Sequence, residues 1–205
     1  TAARILEDAQ RQRPPPSQFV AVLRQAMTGC VATAHRDIRA RGEAEPQLDG
    51  MGTTLTALVV HPEHRTYVLG HVGDSRAYVF RDGALRQLTR DDTWVQDRVD
   101  RGDIDLESAR RHPFAHLLTQ CLGLEDAPAP QILDGTMEPG DLYLICTDGL
   151  VGMLDDGQME EILGRARTPN GQPGEHTATV KALLDAANEA GGHDNITAAI
   201  VSLGT

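Results

Sequence analysis

The chain has 205 residues, 40% hydrophobic, 24% charged and only 3% aromatic, with a formal net charge of −11. That length suits one domain, or one domain with an extension. The charge argues against a nucleic-acid backbone as partner, because such binding rests on Lys and Arg neutralising phosphates, and no apolar run reaches the roughly 20 residues of a membrane-spanning helix.

Residues 1–12 read as the end of a helix, stopped by Pro14-Pro15-Pro16. Ser17 is the expected N-cap of a long helix in which Phe19, Val22, Leu23, Ala26, Met27, Cys30, Ala34 and Ile38 recur at three- and four-residue spacing. The period then changes. Thr53–Val60 is apolar and β-branched and reads as a buried strand, followed by a turn at His61–Arg65 and strands over Thr66–Val72 and Arg76–Phe80. Asp82-Gly83 marks a hairpin turn into Ala84–Leu88. Residues 89–123 read as polar and helical, with Asp105 capping a short helix through Arg111. Two more strands are expected at about Gln131–Thr136 and Asp141–Thr147. A helix follows, capped by Asp155 with Gln158 three residues on. After a Pro/Gly-rich loop at 168–174, Glu175–Ala190 reads as an amphipathic helix and Asn195–Leu203 as a final strand. Runs of strands interrupted by helix pairs argue for an α+β fold rather than a doubly wound parallel sheet.

Cys30, Cys121 and Cys146 are far apart and form no CxxC, so neither a disulfide framework nor a structural zinc is indicated, and a reducing cytoplasm is the default setting. His61 and His64 form an HxxH in a turn, without the helical setting of a zinc site. Trp94 is expected to pack under a surface segment. Three acidic residues share one pattern. Asp74, Asp148 and Asp194 each lie where a strand begins or ends, beside glycine: Val72-Gly73-Asp74-Ser75-Arg76, Thr147-Asp148-Gly149 and Gly191-Gly192-His193-Asp194-Asn195. A carboxylate at the end of a buried strand is held rigidly and faces a rim. Oxygen-only donors favour hard ions such as Mg²⁺ and Mn²⁺. The plainer reading is that Asp before Gly caps a turn.

In order, the segments Gly50-Met51-Gly52-Thr53-Thr54-Leu55, His71–Tyr78, Leu88-Thr89-Arg90-Asp91, His112-Pro113, Leu118–Gly123, Gly140-Asp141, Thr147–Leu150 and Gly192–Thr197 resemble the metal-dependent type 2C family of serine/threonine protein phosphatases, in its bacterial form. The resemblance covers nearly everything from about residue 17 onward. It implies a four-layer α-β-β-α sandwich of two antiparallel sheets flanked by helices. It implies hydrolysis of phosphoserine and phosphothreonine in proteins by metal-activated water, with two core Mn²⁺ or Mg²⁺ ions and a third, weaker one. By motif, Asp148 and Asp194 match core carboxylate ligands and Asp74 matches a carboxylate at the third ion. Gly149, Asn195 and Arg76 are supporting residues, Arg76 as a structural arginine pairing with a carboxylate near the turn. Residues about 91–116 match a flap that influences substrate choice. The expected partners are phosphorylated proteins and a Ser/Thr kinase, with no nucleic acid and no membrane, for a cytoplasmic monomer.

The family's opening strands also carry a phosphate-gripping Arg and an Asp-Gly-x-Gly-Gly turn whose Asp bridges the core ions. Neither is found before residue 17, so the expectation is one phosphatase-like domain over 1–205 that lacks its first strands. Asp49-Gly50-Met51-Gly52 imitates that turn but follows a polar loop, which makes Asp49 a solvated loop carboxylate. Two alternatives accompany the enzyme: a non-catalytic phosphatase-like binding or regulatory domain, and a phosphatase acting on anti-sigma-factor antagonists.

Overall fold

The computed structural model describes residues 2–11, 16–165 and 173–203. Helix α1 is Ala2–Arg11 and α2 is Pro16–Ala44. Helix α2 begins one residue before Ser17 rather than after it, because proline's fixed φ suits a first helical turn. Strands β1 (Leu55–His61) and β2 (Thr66–Val72) form a hairpin, joined through a short 3-10 turn at Pro62–His64. Strands β3 (Arg76–Arg81) and β4 (Ala84–Gln87) form a second. Its turn residues Asp82 and Gly83 have φ of 52° and 84°. The tight hairpin turn requires positive φ at both positions, as the Asp-Gly pair anticipates.

The expectation of a helical 89–123 is corrected. That stretch holds only α3 (Trp94–Asp100) and α4 (Leu106–Arg110), with irregular backbone around them. Gly102, at φ 76°, stops α3, and Pro113 disfavours helix at the residue before it. Thr93 caps α3 by accepting from the Gln96 amide at 3.2 Å, and Asp105 caps α4 by accepting from Ser108 at 2.7 Å. Strands β5 (Gln131–Thr136) and β6 (Leu142–Cys146) follow, then the short helix α5 (Asp148–Val151). Next come α6 (Asp156–Arg165), α7 (Pro173–Glu189) and β7 (Ala198–Val201). Asp155 and Gln158 cap each other's amides reciprocally, both at 2.9 Å. Most of the expected 168–174 loop lies outside the described residues, and α7 starts earlier than that reading placed it.

The strands do not form one continuous run. They divide into a sheet of order β1-β2-β5 and a sheet of order β4-β3-β6-β7, every pairing antiparallel. The chain leaves the first sheet and enters the second at Gly73-Asp74, and the two sheets belong to two compact units. The fold is therefore α+β.

In the first unit, residues 1–73 and 91–136, α2 covers the β1-β2-β5 sheet. Phe19, Leu23 and Met27 from α2 pack with Val59 and Val68, and Ala9 of α1 closes the cluster. Full burial of such side chains contributes about 1.5–3 kcal/mol each. Gly70 of β2 is needed here, because a Cβ at that position would overlap the Met27 side chain. One helical turn on, Val31 packs with Val72 and Leu122. Val31 and His35 lie on this buried face too, beyond the stripe read from spacing. His35 is retained there by accepting the Gly123 amide on Nδ1 at 3.2 Å.

In the second unit, residues 74–90 and 137–205, the core is Tyr78, Phe80, Leu142, Leu144 and Cys146 of the sheet against Leu150, Leu154, Met159, Leu163, Leu183 and Ala187. Burial pushes the Tyr78 hydroxyl well above its ordinary pKa. No described helix is long and apolar enough to cross a membrane.

Candidate metal centre

The register of the second sheet brings the three candidate carboxylates to one end of it. Arg76 of β3 is paired with Cys146 of β6, and Cys146 is paired with Ala198 of β7. Asp74 lies two residues before Arg76, Asp148 two residues after Cys146, and Asp194 four residues before Ala198. Antiparallel pairing therefore places all three beyond the same end of three adjacent strands, which are spaced by about 4.8 Å each. Asp74 and Asp148 are half-buried and Asp194 is exposed.

Two of the three turns are locked together. Thr147 donates its amide to the Thr197 carbonyl at 3.0 Å. Its hydroxyl accepts from the Thr197 amide at 3.0 Å and donates to the Asn195 carbonyl at 3.3 Å. Gly149 is buried against the same carbonyl, in a space where a Cβ would overlap the oxygen. Each carboxylate is also steadied by its neighbour in sequence. Asp148 Oδ1 accepts from the Gly149 amide at 2.9 Å, and Asp194 Oδ1 accepts from the Asn195 amide at 2.7 Å. Asp148 and Asp194 thus extend from backbone that cannot shift independently, each with a second oxygen available to a cation. Arg76 donates Nη1 to the Tyr78 hydroxyl at 3.0 Å, bracing the start of β3.

The donor chemistry fits a hard divalent cation, since every candidate is a carboxylate. The set is short in number: among the described residues, no group of three or more His, Cys, Asp or Glu side chains gathers closely enough to hold a metal ion. Asp49 is exposed at the end of the 3-10 turn Pro46–Leu48, as a loop carboxylate. His61 and His64 stack on each other at 4.3 Å, with Phe19 edge-on to His61 at 4.2 Å. Trp94 contacts His112 and Phe114 at 5.0 and 5.7 Å, with the Arg98 guanidinium over its ring at 4.8 Å.

The remaining motifs have structural roles. Thr53 and Leu122 exchange both backbone hydrogen bonds, so Gly50–Leu55 and Leu118–Gly123 are partners. Gly123, at φ 97°, packs where a Cβ would come within 2.6 Å of the Met51 carbonyl oxygen. Thr89, buried, accepts the Ala77 amide at 3.1 Å. Sequence reasoning missed Thr147 and Asp92. Neither stands in a periodic pattern, and the motif that led to Asp91 stops one residue short of Asp92.

The sequence profile described as Protein phosphatase 2C matches residues 1–194. The chain belongs to the protein phosphatase 2C family. It is 38% identical over 178 residues to the serine/threonine protein phosphatase PstP of Mycobacterium tuberculosis, a match covering 86% of this chain and 32% of that protein. The chain therefore spans about a third of the length of that curated relative. Its fold matches the Streptococcus agalactiae serine/threonine phosphatase with a TM-score of 0.80 at 30% identity, covering 89% of this chain and 72% of the other. It also matches the catalytic domain of PstP in complex with two manganese ions, with a TM-score of 0.71 at 34% identity, covering 98% and 81% respectively.

Proposed function

We propose that the protein hydrolyses phosphoserine and phosphothreonine in phosphorylated proteins, with Mn²⁺ or Mg²⁺ held by Asp148 and Asp194 and a third ion held by Asp74. The observation that carries this reading is the register of β3, β6 and β7, which sets three carboxylates beyond one sheet end, two of them on interlocked turns. The manganese in the PstP relative supports the choice of ion. Bound divalent ions lower the pKa of water and neutralise charge on phosphoryl oxygens. This chain's part is to hold them: β6 and β7 supply rigid strand ends, Thr147 ties the two turns, and Gly149 lets them approach.

Residues 91–116 are proposed as the flap bordering the substrate. Its stem is closed by Trp94 donating to the Leu117 carbonyl and Thr119 donating to the Asp92 carbonyl, both at 2.8 Å. Phe114 and Leu106 are 53% and 65% exposed on it, which suits contact with a protein rather than a small metabolite. Substrates of this kind are products of a Ser/Thr kinase. The three cysteines are free and buried, in keeping with a reducing cytoplasm.

The test is Mn²⁺-dependent release of phosphate from a phosphothreonine peptide by the full-length protein. Asp148→Asn and Asp194→Asn are each expected to abolish it while leaving thermal unfolding nearly unchanged. Activity retained in both variants would refute the assignment.

A further inference from the structure

Helix α3 and the chain after α4 are joined by a cluster of three rings, all within the first compact unit. The Trp94 ring lies 5.0 Å from the His112 ring and 5.7 Å from the Phe114 ring, and His112 lies 5.5 Å from Phe114. Trp94 and His112 are half-buried, while Phe114 is exposed. His112 is also fixed through its polar atoms. Its Nδ1 accepts the Phe114 amide at 3.1 Å, its own amide donates to the Ala109 carbonyl at 3.2 Å, and its carbonyl accepts from Ala115 at 2.9 Å. An amide can only donate, so Nδ1 carries no proton and the neutral ring holds its proton on Nε2.

This arrangement needs the neutral imidazole. A proton on Nδ1 would set N–H against the Phe114 N–H, donor against donor. It would also bring a second positive charge to a ring that already has the Arg98 guanidinium over it at 4.8 Å. The charged groups around His112 come from the two helices of the segment. On the α3 side Arg98 is paired with Asp103 at 3.0 Å, and on the α4 side Arg111 is paired with Glu107 at 3.2 Å. Asp97, Asp100 and Arg110 are the other charged side chains of those helices. Among the described residues no carboxylate is paired with His112, so an imidazolium there would have no counter-ion.

We propose that His112 is a proton-sensitive clasp: as a neutral ring it holds the Phe114 amide and keeps the Phe114 ring against Trp94, and on protonation it releases both. Histidine changes charge between about pH 5 and 8, so the clasp opens on mild acidification. What is set free is an exposed aromatic residue with the exposed Leu117 three positions on, 53% and 50% accessible, so the proton alters an apolar part of the surface. The switch lies within the segment's own packing and operates whether or not the segment borders a substrate.

The test follows the Phe114 amide proton and the Trp94–Phe114 ring contact by NMR in the full-length protein, at about pH 7.5 and about pH 5, which span most of the histidine range. Three proteins are compared: the wild type, His112→Asn and His112→Phe. Asn offers its side-chain oxygen where Nδ1 stood and does not titrate, whereas Phe keeps a ring in the cluster and offers no acceptor. In the wild type the amide resonance is expected to move upfield on acidification as the hydrogen bond is lost, and the cross-peaks between the Trp94 and Phe114 rings to disappear. In H112N the amide is expected to stay at its hydrogen-bonded position at both pH values. In H112F it is expected to sit upfield at both. A wild-type resonance that stays in place between the two pH values overturns the proposal. So does an H112N resonance that moves as the wild type does, since another group, such as His116, would then be the one that titrates. Should H112F not fold, the wild type and H112N alone give the decision.

Discussion

Gly149 and Asn195 touch through backbone alone: the Gly149 α-carbon leaves room for the Asn195 carbonyl oxygen where any side chain would collide. The contact joins residues 46 positions apart and draws the Asp148 turn onto the Asp194 turn.

Gly149→Ala is therefore expected to force those turns apart. Overpacking of this kind costs about 1–3 kcal/mol. Urea unfolding should show that loss, and Mn²⁺-dependent phosphate release should fall with it. A change within about 0.5 kcal/mol, the range of an ordinary surface substitution, would show that the turns are not locked through this contact.

The protein should hold Mn²⁺ weakly, because no set of three or more ligating side chains gathers among its described residues. Isothermal calorimetry on this chain is expected to show binding weaker than micromolar. Micromolar affinity would mean that its carboxylates converge more closely than this arrangement allows.

Asp141 predicts an acid limb to stability. Its carboxylate is 2% exposed and accepts from Arg81 Nη2 at 2.6 Å and Nε at 2.8 Å, from the Glu138 amide at 2.7 Å and from the Tyr143 hydroxyl at 3.3 Å. Burial alone would raise its pKa, but Arg81 and the Glu138 amide outweigh burial and hold it below the ordinary carboxylate value. The folded-state pKa is depressed, so the contribution is present above the unfolded value of about 3.9 and is lost as pH falls through the folded one. Asp141→Asn should cost about 2 kcal/mol near neutral pH, the loss of charged hydrogen bonds to a partly exposed Arg. The variant's loss relative to wild type should begin to shrink below about pH 4, where the carboxyl of the unfolded chain takes up a proton, and vanish as pH falls through the lower folded-state value. An unchanged difference across that range, followed by thermal unfolding, would reject the assignment.

The thiols should be inert. Cys30, Cys121 and Cys146 are all buried, and burial pushes the first two further above their ordinary pKa. A disulfide exchange reagent at neutral pH is expected to label them only at the rate of unfolding. Rapid labelling of any of the three in the native protein would contradict their placement.

Much of the local structure was legible because its causes lie within a few residues. Asp82-Gly83 accepts positive φ without help, Asp155 and Gln158 cap each other three residues apart, and β2 and β5 have the boundaries that the sequence suggests. The order of the motifs was enough to reach the phosphatase family and to single out Asp74, Asp148 and Asp194. The tertiary structure decided what depends on distant partners. The helical reading of 89–123 failed because polar residues without an apolar period leave the backbone to be set by contacts such as Thr93 with Leu118. Asp92 carries no signal of its own in the sequence; it is the fold that sets Gly73, Gln120 and Thr119 around it. Nothing in the local sequence shows that β2 and β3 belong to different sheets, since both are buried along nearly their whole length and carry no alternation that would assign a face. Only strand pairing, a long-range choice set by which faces bury together, puts the ends of β3, β6 and β7 side by side and so brings Asp74, Asp148 and Asp194 to one end of the sheet.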